Sequence, residues 1–358
     1  MSLIPTEHIG SIPRPRELIA AYQKQQAGEI SEEELEALAT QASIDTIKKM
    51  EETGSYCVGD GEQRKFSGFA SYCLHGAHNF APDGAEILFS DGHSRVLPRL
   101  TKGPFKYQIT ADMFLEDAMK HTGLPVKQAV IAPSLLSLLY PNTPIPEYSR
   151  NRFLQDIIRQ HHQELARCLE LGAHKVQIDF TEGRLSLKLD PSGELLTGMI
   201  DLINTGLENF TDAQRRKIGL HTCPGADRDA THSADVDYKD LLPTLFRANV
   251  GNFYVAMASE KDPEKVLLQI KSLIKPDVRV FIGVIDPIDP VVETPEQVCE
   301  RVLKAAEYIP LDNLGTTDDC GFSPFADDDS TSRDIAFAKI KARVEGTRMA
   351  EEILIARK

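Results

Sequence analysis

The sequence has no tryptophan among its 358 residues and only six cysteines, which are too widely spaced to form a disulfide framework. No segment approaches the roughly 20 consecutive apolar residues of a membrane helix. The first 15 residues lack the apolar core of a secretory signal. We therefore expect a cytoplasmic protein without a membrane partner, whose thiols are either buried in the core or bound to a metal.

Positive charge is also scarce, because the sequence has 40 lysines and arginines but 54 acidic residues, which gives a net charge of −14. Phosphate binding needs a basic face, so we do not expect a nucleic-acid partner. No glycine-rich dinucleotide loop follows a strand pattern, and there is no Walker loop. The composition, 41% hydrophobic and 26% charged, is typical of a soluble globular protein. It leaves homo-oligomerisation open.

Strand-like and helix-like segments alternate along the chain. Residues 153–169, 298–309 and 335–344 repeat apolar side chains at helical spacing, whereas 278–285 is a nearly continuous apolar run typical of a parallel strand. We count eight strands, at 6–9, 56–58, 126–131, 175–180, 217–221, 252–256, 279–285 and 314–317. This count favours an α/β fold, a (β/α)8 TIM barrel that forms one domain over residues 1–358, with an open doubly wound sheet as the alternative.

Three segments add detail to this barrel. Ser31 and Glu34 form a capping-box pattern that predicts a helix to about Glu52. Residues 68–75 also predict a helix. Residues 80–110, rich in glycine, aspartate and proline, predict a hairpin insertion after the second βα unit, with strands at 86–89 and 105–110.

Side chains able to carry chemistry follow the predicted strands at their carboxyl ends. They are Glu62, Asp179, His221, Cys223, Asp286, Asp318, Asp319 and Cys320. In a barrel these ends meet at one mouth, where catalysis takes place. The pattern therefore predicts an active site at the mouth. His232, in the polar loop after the fifth strand, is a further candidate for contact with substrate.

The sharpest local pattern is His221-Thr222-Cys223. Residues two apart on a strand face the same way, so His221 and Cys223 can bind the same metal ion. Imidazole and thiolate suit zinc, and Cys320 would add a second thiolate, leaving one coordination position open as in catalytic zinc sites. The spacing is equally consistent with Cys223 and Cys320 being ordinary buried thiols.

Taken together, the motifs resemble the catalytic barrel of the cobalamin-independent methionine synthase family, the 5-methyltetrahydropteroyltriglutamate–homocysteine methyltransferases. The matching segments are Ile9-Gly10-Ser11, Asp60-Gly61-Glu62, Gln177-Ile178-Asp179, His221-Thr222-Cys223, Gly283-Val284-x-Asp286 and Asp319-Cys320-Gly321. They span almost the whole chain in the family's order. The resemblance implies zinc-dependent methyl or alkyl transfer to a thiol, in the simplest case conversion of homocysteine to methionine.

The resemblance also implies roles for individual residues. His221, Cys223 and Cys320 would bind the zinc ion. The amino-acid part of the acceptor would bind to five residues of the first, second and fourth strands, namely Ile9, Gly10, Ser11, Glu62 and Asp179. Its partners would then be a homocysteine-like thiol and a methyl or alkyl donor.

The sequence departs from the family at the donor side. Ile288 stands where the family keeps a proton-shuttling histidine, so Asp286 and Asp289 are the catalytic candidates to replace it. Met257 stands at the family's third-ligand glutamate, so either Glu260 reaches the metal or the protein supplies three ligands. Without tryptophan, the usual aromatic platform for a folate pterin is missing. We therefore expect polyglutamylated methylfolate to be a poor donor.

Two other enzyme classes and one non-catalytic class remain open. A His-x-Cys…Cys site with three ligands is similar to the epoxyalkane:coenzyme M transferases, which alkylate a different thiol. A zinc-free decarboxylase or lyase of the same barrel superfamily would instead need arginines at the mouth. A protein that only binds zinc or an amino acid would show no turnover with any donor.

Overall fold

The structure is a computed structural model that describes residues 3–66 and 68–357. Its helices are α1 Arg16–Gln26, α2 Glu32–Glu52, α3 Ala111–Ala118, α4 Pro133–Leu136, α5 Arg150–Glu170, α6 Glu182–Leu189, α7 Glu194–Leu207, α8 Asp212–Arg215, α9 Tyr238–Leu245, α10 Pro263–Leu273, α11 Pro295–Ala306 and α12 Arg333–Ala356. Its strands are β1 Phe80–Ala81, β2 Glu86–Leu88, β3 Ser94–Val96, β4 Arg99–Leu100, β5 Lys127–Ile131, β6 Lys175–Asp179, β7 Ile218–Thr222, β8 Ala226–Asp227, β9 Ala230–Thr231, β10 Asn252–Val255, β11 Arg279–Ile285 and β12 Leu314–Asp318.

Six strands form one parallel sheet in the order β12-β11-β10-β7-β6-β5. Thr6 forms a parallel bridge with Thr316 at one edge, and Val58 forms one with Val126 at the other. The Ile12 amide donates to the Gly61 carbonyl at 3.0 Å and links these two outer segments. Eight parallel segments thus form a ring, and the predicted (β/α)8 barrel is confirmed.

The strand register brings the site residues to the same level of the barrel. In β6 and β7, Asp179 lies opposite His221, and on the other side Asp179 lies opposite Ile131. β5 and β7 are buried along their whole length. Such strands face packed side chains on both sides, even though each of the two contains polar residues.

The helices agree with the capping and periodicity signals. The Ser31 hydroxyl accepts from the Glu34 amide at 3.1 Å, and the Glu34 carboxylate accepts from the Ser31 amide at 2.8 Å. The predicted capping box is therefore confirmed, and α5, α11 and α12 cover the other predicted helical stretches. Among residues 3–66 and 68–357, no helix is both long and apolar enough to cross a membrane.

Two predictions around the insertion are wrong. Residues 68–75 contain only a 3-10 turn, Tyr72–Leu74, because Gly68 and Gly76 take φ values of +123° and +81°, outside the helical region. Residues 105–110 form no strand, since the amides of Phe105 and Tyr107 donate to side chains of Tyr148 and Gln160.

The insertion itself is one interrupted hairpin, in which the outer strand pair flanks the inner pair. β1 pairs with β4 and β2 pairs with β3, both antiparallel. It lies between the Val58 segment and α3, so it interrupts the second βα unit before its helix rather than following the complete unit.

The amino-terminal ends of the strands enclose a buried group that we call the Glu7 cluster: Glu7, Tyr56, Lys127, Lys175 and Tyr254. The Glu7 carboxylate accepts from Tyr56 at 2.7 Å, from Tyr254 at 2.6 Å and from Lys175, and Lys127 lies 3.8 Å away. Burial opposes ionisation of Glu7, but the two lysines hold its pKa well below its ordinary value. Its charge is thus balanced inside the protein.

Candidate metal centre and active site

His221, Cys223 and Cys320 lie together at the barrel mouth. His221 is on β7, Cys223 follows that strand directly, and Cys320 comes just after β12. Their candidate ligand atoms all lie within 4.8 Å of one another, and all three side chains are buried. The two sulfurs are 3.1 Å apart, beyond the ~2.05 Å of a disulfide, and both thiols are free.

This group fits a zinc ion. Both ring nitrogens of His221 are buried without a hydrogen-bond partner among the described residues, and such burial is costly unless a ligand is bound. The hydrogen bond from Cys223, opposed by burial and assisted by His221, lowers the pKa of Cys320 well below its ordinary value. A thiolate, a second thiol and an unpaired imidazole form the sulfur and nitrogen donor set that zinc prefers.

Glu260 does not join this group. Its carboxylate pairs with Arg184, whose guanidinium lies 3.8 Å from the centre of the Tyr238 ring. Within the described chain, His221, Cys223 and Cys320 form the one set of three or more metal-binding side chains. The protein therefore offers three ligands and leaves room for another molecule.

Asp319, the neighbour of Cys320, holds the loop after β10. Its carboxylate accepts from the amides of Met257, Ala258 and Ser259 at 2.7, 2.8 and 2.9 Å. Burial and the charge of Asp286 raise the pKa of Asp319 to about 7, although these amides oppose the shift. Asp319 thus fixes the loop that brings Met257 to the mouth, and its oxygens are already engaged.

Glu62 lies across the mouth in a strained backbone position, with a φ of +60°. Its amide donates to Asp60 at 2.9 Å, and its carboxylate lies 3.1 Å from the Lys65 ammonium. The second carboxylate oxygen is buried without a partner. A Cβ at Gly10 would come within 2.4 Å of the Glu62 carboxylate, so only glycine fits there.

Asp179 ends β6 beside His221. The Gln177 side chain donates to its carboxylate at 2.6 Å. Burial, together with the negative charge of Glu62, raises the pKa of Asp179 to about 6. Asp179 and Glu62 both line the same cavity as His221 and Cys320.

The first strand contributes Ile9 and Ser11 to this cavity. The Ser11 hydroxyl accepts from the Ser323 amide at 3.2 Å, and the Ser11 carbonyl accepts from the Phe322 amide at 2.9 Å. Because a Cβ at Gly321 would lie 2.1 Å from the Ser11 oxygen, the glycine after Cys320 lets the two segments meet.

Asp286 and Asp289 lie outside the cavity wall. Asp286 accepts from the Ile288 amide at 3.2 Å, and Asp289 is exposed and accepts from the Val291 amide at 2.9 Å. Ile288 instead packs against the buried group that contains Cys223 and Cys320. The structure does not bring these two aspartates to the thiols, so their catalytic role stays a prediction without support from position.

The cavity measures about 420 Å³, and its polar lining residues beyond those of the family motifs include Glu182 and His232. One Glu182 oxygen accepts from Ser134, and the other is buried without a partner. Burial raises the pKa of Glu182 to about 8 and lowers that of His232 to about 4, so both are neutral near pH 7. Sequence reasoning missed Glu182. The available signal was its position, since it is an acidic residue three positions after Asp179 at the same strand end.

Comparisons with known proteins agree along nearly the whole chain. A family model described as cobalamin-independent synthase, catalytic domain, matches residues 4–342. Methionine synthase of Saccharolobus solfataricus is 24% identical over 357 residues, covering 99% of this chain and 97% of that protein. A B12-independent methionine synthase from Shewanella sp. W3-18-1, solved with selenomethionine, superposes with a TM-score of 0.77 at 18% identity, covering 99% of this chain and 100% of that one. A putative vitamin-B12-independent methionine synthase from Listeria monocytogenes gives a TM-score of 0.70 at 20% identity, with 96% of each chain covered.

Proposed function

The chain belongs to the cobalamin-independent methionine synthase family, and on that premise we propose that it is a zinc-dependent enzyme that methylates homocysteine to methionine. The observation that carries the proposal is the convergence of His221, Cys223 and Cys320 on one point, with an unpaired buried imidazole. His221 and Cys320 line the same cavity as Glu62 and Asp179. A thiol and an amino group of one substrate can therefore be held at once.

The three residues would hold the ion, and the rest of the mouth would hold the acceptor. When bound there, zinc supplies a Lewis acid that lowers the pKa of a thiol, which is otherwise about 8.5. His221 and Cys320 line the cavity, Cys223 lies beside them, and all three side chains are buried.

Charge at the mouth suits an ammonium group. Glu62 and Asp179 contribute two carboxylates, and Lys65 neutralises one of them at 3.1 Å. One net negative charge is left for the amine of an amino acid, and a charge-assisted hydrogen bond in a buried site is a strong one. Fixing the amine orients the thiol, which makes the transfer step nearly unimolecular.

Alkylation of a different thiol is a second candidate. It is favoured by the engagement of Glu260 with Arg184, which leaves the three-ligand set that the sequence also suggested. It is further favoured by the apolar side chains that line part of the cavity, among them Phe69, Ile87 and Leu185. The six free cysteines are consistent with either reaction taking place in a reducing cytoplasm.

The test is turnover of the zinc-loaded protein with homocysteine and, at equal concentration, methylcobalamin, a methylsulfonium, a small epoxide or methylfolate triglutamate. We expect methionine from a small methyl donor and little or none from the polyglutamylated folate. The same assays are run in parallel with coenzyme M as the acceptor thiol in place of homocysteine. If coenzyme M is alkylated and homocysteine is untouched by every donor, the homocysteine proposal is wrong.

A further inference from the structure

A hairpin covers the mouth of the barrel. The roof hairpin, residues 86–96, consists of β2, β3 and the turn between them, and it packs on the loop that follows β7. The Ser90 amide donates to the Thr231 carbonyl at 2.9 Å, and the Phe89 ring lies edge-on to His232 at 5.5 Å. The hairpin therefore crosses from the second barrel segment to the loop beside the thiol-bearing strand.

The positive charge of Arg95, in the roof hairpin, is already neutralised by acidic side chains. Arg95 donates to Asp227 at 3.0 Å and to Asp327 at 3.1 Å, and its guanidinium lies 4.2 Å from the centre of the Phe325 ring. The Asp227 side chain is fully buried in this pair. Arg95 thus fastens the roof to two loops and has no free charge for an anionic substrate.

Beneath the roof, the upper wall of the cavity is apolar. The roof hairpin and Leu97 just after it, the segment after the second barrel strand, and α6 supply Ile87, Phe89, Leu97, Phe69, Leu74 and Leu185. Every one of these side chains is uncharged, whereas the carboxylates and ligand atoms come from the strand ends below. The cavity thus has a polar floor and a mostly apolar upper part, in which Ser71, His75 and Arg95 are the polar lining residues.

The charges that reach the cavity leave no free cation in the upper part. Among the described residues that line the cavity there is no lysine, Arg95 is paired, and His75 lies 3.9 Å from the Glu32 carboxylate. Glu182 and His232 are neutral near pH 7, because burial raises the pKa of the first to about 8 and lowers that of the second to about 4. A polyanionic tail would find no partner here, and desolvating it would be costly.

We propose that the space under the roof hairpin is a subsite for the uncharged, apolar body of the alkyl donor. Its place as the donor site rests on the proposed function, which assigns the floor to the acceptor's thiol and amine. The cavity of about 420 Å³ lies within the ~300–1,000 Å³ of small-molecule sites. The subsite therefore selects a compact neutral donor, and it excludes a polyglutamate chain.

Neighbouring residues of β2 give a matched pair of variants. Ile87 lines the cavity, whereas Leu88 points away and is 63% exposed. Binding of the neutral fluorophore N-phenyl-1-naphthylamine to the full chain is followed by its emission, which the absence of tryptophan leaves undisturbed. We expect Ile87→Glu to raise its Kd at least tenfold, and Leu88→Glu to change it less than twofold.

The binding assay is repeated after zinc removal and in Cys320→Ser, so that it does not depend on turnover. Probe binding that survives there supports the subsite even if homocysteine methylation fails. Circular dichroism and a thermal melt check that each variant is folded. Ile87→Gln, which adds no charge, should lower the affinity for the probe less than Ile87→Glu does. Equal Kd values for Ile87→Glu and Leu88→Glu in folded protein, or displacement of the probe by methylfolate triglutamate more tightly than by a neutral analogue, would overturn the proposal.

Discussion

The two ends of the barrel bury polar groups in different ways. In the Glu7 cluster at the amino-terminal ends, both carboxylate oxygens of Glu7 have partners, and the lysines balance its charge. At the mouth, the His221 nitrogens and one oxygen each of Glu62 and Glu182 are buried without partners. The paired Glu7 carboxylate stabilises the fold. His8 beside it also has a buried nitrogen without a partner, so an unpaired atom alone does not imply a ligand; the imidazole at the mouth does, because two thiols lie within 4.8 Å of it.

Electrostatics separates the two ends as well. The Glu7 cluster lowers the pKa of its carboxyl despite burial, because two lysines surround it. At the mouth, burial raises the pKa of Asp179 to about 6 and that of Glu182 to about 8. Groups poised near neutral pH in a cavity are typical of functional sites.

The largest expected effect comes from breaking the Glu7 cluster. Glu7→Gln leaves the charges of Lys127 and Lys175 uncompensated, and removing one partner of a buried ion pair costs about 3–5 kcal/mol of the free energy of unfolding. Urea denaturation measures this, with Glu17→Gln on exposed α1 as the control. Zinc content per folded chain should not change. A decrease of less than 1 kcal/mol in the free energy of unfolding of Glu7→Gln would show that the two ends do not differ as described.

At the mouth, Asp179→Asn should impair binding and spare stability. Losing a hydrogen bond to a charged group is worth about 1.5–3 kcal/mol, which corresponds to at least a tenfold rise in the Kd for homocysteine. Isothermal titration calorimetry measures it, and Asp201→Asn on exposed α7 serves as the control. An unchanged Kd would indicate an acceptor without an amine.

The pH dependence of the same binding step sharpens this contrast. Because the pKa of Asp179 is raised to about 6, its carboxyl becomes neutral as the pH falls through that value and no longer attracts an ammonium. Homocysteine affinity should therefore decline below about pH 6 in the parent chain, and Asp179→Asn should flatten the decline. The same slope in both proteins would assign the titration to another group.

Glu260→Gln should have the smallest effect at the mouth. The variant weakens the pair with Arg184, whose other contact is the Tyr238 ring. Because Arg184 is buried, losing its partner can cost up to about 3–5 kcal/mol of the free energy of unfolding, but this cost does not fall on the metal site. Zinc affinity should be unchanged, as a chelator competition would show. A tenfold loss of zinc affinity would place Glu260 among the ligands.

Sequence motifs predicted the barrel and the residues that meet at its floor, because strand alternation and the common mouth of parallel strands are local and topological rules. His221, Cys223 and Cys320 illustrate this, since each follows from its position at the end of a strand. Residues 68–75 were mispredicted as helix because positive φ angles at Gly68 and Gly76 are set by the folded loop.

The contacts that complete the site are long-range and could not be predicted from spacing. Arg95 meets Asp227 and Asp327, which lie 132 and 232 residues away in the sequence. The apolar roof depends on these pairs, and a Gly- and Asp-rich insertion gives no sign of where it will pack. Closeness in the sequence can also mislead. Asp286 and Asp289 are next to the family's histidine position in the sequence, but they do not line the cavity.

The central claim is that His221, Cys223 and Cys320 at the mouth hold zinc. Elemental analysis of purified protein, and of Cys320→Ser and Cys299→Ser, tests it most directly. Cys299 is a similarly buried free thiol in α11, but it belongs neither to the candidate ligand set nor to the cavity lining. We expect about one zinc per chain in the parent and in Cys299→Ser, and less than a tenth of that in Cys320→Ser, with all three folded. Full zinc retention in Cys320→Ser, or no zinc in the parent after growth with zinc, would contradict the account.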